Sequence, residues 1–157
     1  MEPSAGLFEN HHAASIESTA ALVEDVLIEL GHFVNDCRAE VPNTLRAWQV
    51  HKGSALVRIA IVEGADHPNL SVVAPVMRTD ARVDVLSLYR RLLELNCDAV
   101  SGVAFGVRRN EVLLTGERSV LDLDQSEVFD LIRRVQEYAD HYDDELVAEF
   151  GGKPGGN

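Results

Sequence analysis

The chain has 157 residues and a mass of 17.2 kDa, the size of one domain, and 46% of its residues are hydrophobic, enough for a buried core. Its 26 acidic residues outnumber 14 basic ones, giving a net charge of −12 and a pI near 4.8. That sign is opposite to what a phosphate backbone or an anionic lipid surface attracts, so neither nucleic acid nor membrane is an expected partner.

Residues 1–15 read as a flexible N-terminal tail that lacks the apolar core of a signal peptide, and no apolar run approaches the ~18 residues of a membrane span. Ile16, Ala20, Val23, Leu27 and Leu30 then recur at helical spacing, with Ser15 as cap and Gly31 at the C-terminal stop, so a helix is predicted over 16–31. Three Val- and Ile-rich segments follow Val41-Pro42-Asn43: Leu45–His51, Ala55–Glu63 and Asn69–Met77. They are too short for typical helices and read as an antiparallel meander turning at Lys52-Gly53 and at 64–68. Pro75 has no N–H to give, which places the third strand at an edge or a bulge.

A second helix is predicted from Thr79 or Asp80 to Asn96, with Val85, Leu86, Tyr89, Leu92 and Leu93 on one stripe and Leu88 and Leu95 widening it. Gly102–Arg108 and Glu111–Thr115 form a hairpin around Arg109-Asn110, where Asn tolerates a positive φ. The last helix opens at Asp124, with Glu127 completing a capping box, and its stripe Val128, Leu131, Ile132, Val135, Ala139, Tyr142 and Leu146 runs to Phe150. The Gly- and Pro-rich segment 151–157 reads as a flexible C-terminal tail. One domain thus spans 16–150 in the order αβββαββα, an α+β fold with a five-stranded antiparallel sheet and three helices.

Nothing in the chain matches a nucleophile elbow, a zincin helix, a P-loop or a dinucleotide fingerprint, so no catalytic residue, metal site or cofactor is assigned and the protein is read as non-enzymatic. Glu137, His141 and Glu145 lie four apart on the last helix and would be the metal-ligand set of a rival reading, a small enzyme or metal-dependent sensor. The plainer reading is a solvated acidic face, since Glu117–Glu149 carries eleven acidic and three basic residues. His11-His12 is a weaker candidate still. Cys37 and Cys97, far apart and without an assigned base, read as reduced thiols of a soluble, cytoplasmic protein. Trp48, the sole tryptophan, is expected in the core.

The stretch Leu92-Leu93-Glu94-Leu95-Asn96, then Gly102-Val103-Ala104-Phe105-Gly106-Val107, Glu111-Val112-Leu113-Leu114 and the acidic helix entered through Leu121-Asp122-Leu123-Asp124 resembles the bacterial YbjN family and the related type III secretion chaperones of the Tir-chaperone kind. The resemblance spans roughly 16–148 and implies the same element order, a dimer, and a chaperone-like adaptor that binds peptide segments of a partner protein without chemistry of its own. A regulatory signalling protein working through protein contacts is the alternative.

Two surfaces follow. Apolar residues line both faces of Ala55–Val62, so with Val57, Ile59 and Ile61 beneath the first and last helices, Leu56, Arg58, Ala60 and Val62 face the other way with Val73 and Met77. Leu56, Arg58, Val73 and Met77 are the expected partner-binding residues, unless the second helix of the same chain covers them. The second helix is more apolar than one contact needs, which predicts a homodimer through Tyr89 and Leu92.

Overall fold

The computed structural model describes residues 5–156. In chain order the elements are α1 (Ala5–Glu29), α2 (Val34–Cys37), β1 (Arg46–Lys52), β2 (Ala55–Val62), β3 (Asn69–Arg78), α3 (Val85–Asp98), β4 (Ala104–Arg108), β5 (Glu111–Ser119), α4 (Gln125–Phe150) and β6 (Lys153–Pro154). This is the αβββαββα order with two short additions, α2 and β6. All pairings are antiparallel, in the order β1-β2-β3-β5-β4, with β6 added to the end of β3.

Two termini depart from the expected tails. Residues 1–4 lie outside the described residues, but from Ala5 the chain is already helical, so Ser15 sits inside α1 and is not its cap. At the other end of α1, Gly31 adopts φ +86, the His32 N–H donates to the Leu27 carbonyl and the Gly31 N–H to that of Ile28. That pair of bonds is a Schellman closure, the stop the glycine announced. The segment 151–157, read as coil, instead turns back through Lys153 and Pro154 to pair with Arg78 and Met77.

The turns of the sheet are short because antiparallel neighbours need no more. Gly53-Ser54 joins β1 to β2, and Ser54 donates its hydroxyl to Asp143, a buried carboxylate on α4. Arg109-Asn110 joins β4 to β5, yet the positive φ falls on Arg109 at 55°, not on the asparagine.

The helices gather on one side of the sheet. α4 crosses it and buries Val128, Leu131, Ile132, Val135, Ala139 and Leu146, while α1 lies beside α4 and adds Val23, Val26 and Leu27 to the same core. Beneath them lie Trp48, Val57, Ile59, Ile61, Leu70, Val72 and Leu114, all within one apolar cluster. α3 joins the same cluster through Leu88, Leu92 and Leu95, and its Arg91 reaches Glu145 at 3.1 Å and Glu149 at 3.5 Å on α4. α3 therefore does not cover the opposite face. It starts at Val85 rather than near Thr79, because Asp84 caps it, accepting from the Leu86 and Ser87 N–H groups. Asp124 and Glu127 form the expected capping box of α4. Among the described residues no helix is long and apolar enough to cross a membrane.

Two expected surface residues are core. The β3–β5 register shifts between Pro75 and Met77, a bulge that reverses the alternation, so Met77 stands opposite Val112 on the helix side with no exposed surface. Leu92 is buried because the apolar ring around α3 has two sides, and the one with Leu88, Leu92 and Leu95 faces the sheet.

Candidate functional site

The pleat that sends Val57, Ile59 and Ile61 into the core sends their neighbours to a face without a helix. Across that face Gln49, Arg58, Val73 and Thr115 stand in one row, and Ala47, Ala60, Ser71 and Glu117 in the next. Leu56 and Leu113 are buried by neighbours on this face, but neither joins the main core cluster. The surface thus mixes small and apolar side chains with Gln49, Ser71, Thr115 and the two charges Arg58 and Glu117; at its margins the Ala39 N–H donates to the Ala47 carbonyl along the β1 edge and Gly156 lies against Leu56.

Arg58 stands near the middle of this face. It is exposed, flanked by Gln49 and Val73, and forms no ion pair among the described residues, whereas most other arginines of this acidic chain are paired. Leu56, Arg58 and Val73 therefore come together, and Met77 does not join them.

A second surface is the outward side of α3, where Val85, Leu86, Tyr89 and Leu93 form an exposed stripe; Leu86 is 78% and Leu93 65% exposed. Arg90 and Glu94 pair with each other along its edge at 3.0 Å, and the exposed Cys97 follows one turn later. Tyr89 belongs to this stripe.

A third surface escaped the sequence. A groove of about 570 Å³ lies between α1 and β1, floored by Ala20, Ala47 and Trp48. Its rims are two ion pairs, Glu17 with Arg46 and Glu24 with Arg38. Arg38 holds Glu24 by two bonds of 2.8 and 2.9 Å, which keeps that carboxyl below its ordinary range against the opposing effect of burial; Trp48 adds a further bond from its indole N–H at 3.3 Å. The floor combines two alanines with Trp48 from separate segments, a pattern with no local sequence signal.

The residues of the metal reading are engaged elsewhere. Glu137 accepts from Arg133 at 2.9 Å, and Glu145 accepts from Arg91 with His141 3.5 Å away. No cluster of three or more His, Cys, Asp or Glu in metal-binding geometry occurs among the described residues. His12 stands 3.8 Å from Glu63. Burial raises the pKa of the Cys37 thiol, with Asp36 adding to the effect.

The family model TY-Chap1, described as type III secretion system (YopN, CesT) and YbjN peptide-binding chaperone 1, matches residues 17–155. No curated protein sequence matches the chain. Among solved structures, a chain of the ExsC-ExsE complex covers 83% of this chain and 94% of its own length at 14% identity, with a TM-score of 0.57. A chain of the HopA1-SchA chaperone-effector complex covers 80% and 93% at 8% identity, TM-score 0.55. A chain of the complex between the Yersinia pestis type III secretion chaperone SycH and a fragment of YscM2 covers 78% and 97% at 16% identity, TM-score 0.52. At these identities the likeness is one of fold, an antiparallel sheet with its helices.

Proposed function

The chain belongs to the family of type III secretion (YopN, CesT) and YbjN peptide-binding chaperones, and from that membership we propose that it holds an extended or helical segment of a partner protein on the helix-free face of its sheet. As a member of this family it is a peptide-binding, non-enzymatic protein. The observation that carries the location is the surface around Arg58: Leu56, Ala60 and Val73 lie outside the core cluster beside a guanidinium that forms no ion pair among the described residues. Such a face suits a segment with alternate apolar side chains and one carboxylate for Arg58. The similar chains come from the ExsC-ExsE complex and the HopA1-SchA chaperone-effector complex, which supports a protein partner here.

The test is capture of the native partner from the host by wild-type, Arg58→Glu and Val73→Asp chains, quantified by mass spectrometry. Reduced capture with an unchanged melting temperature supports the face. Unchanged capture by both variants moves the site elsewhere, with the α1–β1 groove next in line.

The protein acts as a homodimer in this reading, joined through the outward stripe of α3. Packed antiparallel on itself about a point between Tyr89 and Arg90, the helix sets Leu86 against Leu93 of the second copy and Arg90 over its Tyr89, a self-complementary arrangement. The same reading takes the protein to be cytoplasmic, with Cys37 and Cys97 as free thiols.

A further inference from the structure

The last strand is unusual in what holds it. β6 has two residues, Lys153 and Pro154, both exposed, so no side chain of its own anchors it. Its hold is main-chain: it pairs with Met77 and Arg78, and the Gly155 N–H donates to the Val76 carbonyl at 3.0 Å. The β2–β3 pairing ends at Arg58 opposite Val73, and β2 does not pair with the rest of β3, so without the C-terminal segment this edge of Val76–Arg78 would be bare.

The fit also selects glycine. A Cβ at Gly152 would stand 2.5 Å from the Arg78 carbonyl oxygen, and one at Gly155 would stand 2.4 Å from the Pro75 carbonyl group. Both obstacles are backbone, which cannot rotate away as a side-chain tip can. Gly151 and Gly152, each at φ +81, form the bend that brings the segment back from the end of α4. Tethering at this distance supplies an effective concentration of about millimolar, so a weak intrinsic fit keeps the segment seated.

We propose that the free end of β3 at Val76–Arg78 is a strand-addition seat, occupied by the chain's own residues 152–156, that accepts a separate extended peptide with glycine at the same two places once the tethered segment is lifted. The seat borders the Arg58 surface, where Gly156 lies against Leu56, and it stands whether or not a partner binds there. Filling it from within closes an edge that would otherwise pair with another strand.

The full-length Gly155→Val chain lifts the segment, and the probe is a fluorescein-labelled peptide of sequence Gly-Gly-Lys-Pro-Gly-Gly-Asn, followed by anisotropy. Saturable binding to the variant at least tenfold tighter than to the native chain is expected, with a peptide bearing Val in place of its fifth residue not binding. Lys153→Ala, which alters only an exposed side chain, should behave as the native chain. A folded variant that ignores the peptide, or that binds the Val peptide equally well, overturns the proposal. If Gly155→Val fails to fold, Gly152→Val and amide exchange in the native chain decide it. A Gly155 amide that exchanges at least tenfold more slowly than a free peptide supports the seat, and one that exchanges as free peptide overturns it.

Discussion

Asn96, in the last turns of α3, treats the edge of β4 as a neighbouring strand would: its side-chain oxygen accepts from the Phe105 N–H at 2.7 Å and its amide donates to the Phe105 carbonyl at 3.2 Å. One residue thereby closes an exposed edge and fixes the rotation of α3 about its axis. Replacing Asn96 by Leu strands two part-buried backbone groups, at an expected cost of about 1–3 kcal/mol. Urea unfolding measures it, and the Phe105 amide should exchange faster in the same variant.

The bulge in β3 separates two residues that plain alternation would put on one face. Met77→Ala empties a fully buried site and should cost about 2–5 kcal/mol, whereas Val73→Asp, on the helix-free face, should leave the melting temperature close to that of the wild type. Thermal unfolding of the two variants side by side checks the assignment of faces.

The two sides of α3 make opposite predictions. Leu93→Glu places a charge on the outward stripe and should yield a monomer of 17.2 kDa by light scattering with little loss of stability. Leu92→Ala removes core packing and should destabilise by about 2–5 kcal/mol. A wild-type chain that is itself monomeric at micromolar concentration rules out the dimer.

Several carboxylates are held more acidic in the folded chain than an ordinary one. Arg82 hydrogen-bonds Asp80 and lowers its pKa to about 2, Ser87 and Ser126 lower Asp84 and Asp124, and Arg38 lowers Glu24. Unfolded, these groups titrate near ~3.9 for Asp and ~4.3 for Glu, so in the acid range the unfolded chain binds more protons and stability rises with pH. Their contribution is complete above those values and disappears as pH falls through the lowered ones. The melting temperature should therefore drop on acidification below about pH 4, less steeply in Asp124→Asn and, because these groups are exposed or half-buried, less steeply in high salt.

The thiols should differ in reactivity. Cys97 is exposed and Cys37 buried with its pKa raised, so a disulfide reagent at neutral pH should titrate one thiol per chain quickly and the second only on unfolding. Two fast thiols would contradict the packing of α2 against β1.

Local rules carried the sequence reading far. Gly31, Asp124 and Gly53 act through a few neighbouring residues, so the stop of α1, the cap of α4 and the first hairpin were legible, and with them the element order, whereas the starts of α1 and α3 were not. Three features depended on distant partners. The rotation of α3 was hidden because apolar residues surround it, and only the bond from Asn96 to a strand nine residues away selects the Leu88, Leu92 and Leu95 side. Met77 was misplaced because Pro75 allowed an edge or a bulge, and the reversal of faces that a bulge brings follows only once the pairing with β5 is known. The glycines at 152 and 155 look like coil in sequence and are closely packed in space. Of the expected partner surface, Leu56, Arg58 and Val73 share a face, whereas the α1–β1 groove left no trace, its floor being assembled from separate segments.

Because every helix lies on one side of the sheet, the two jobs of β2 are written on alternate letters of the same strand. Val57, Ile59 and Ile61 answer to folding, whereas Arg58, Ala60 and Val62 lie outside the core and, on the function proposed above, would answer to a partner. Substitutions on the second set can drift without unfolding the chain, so specificity can be rewritten over evolutionary time while the scaffold stays fixed. A single inserted residue does not have that freedom: it would exchange the two sets at once and forfeit both.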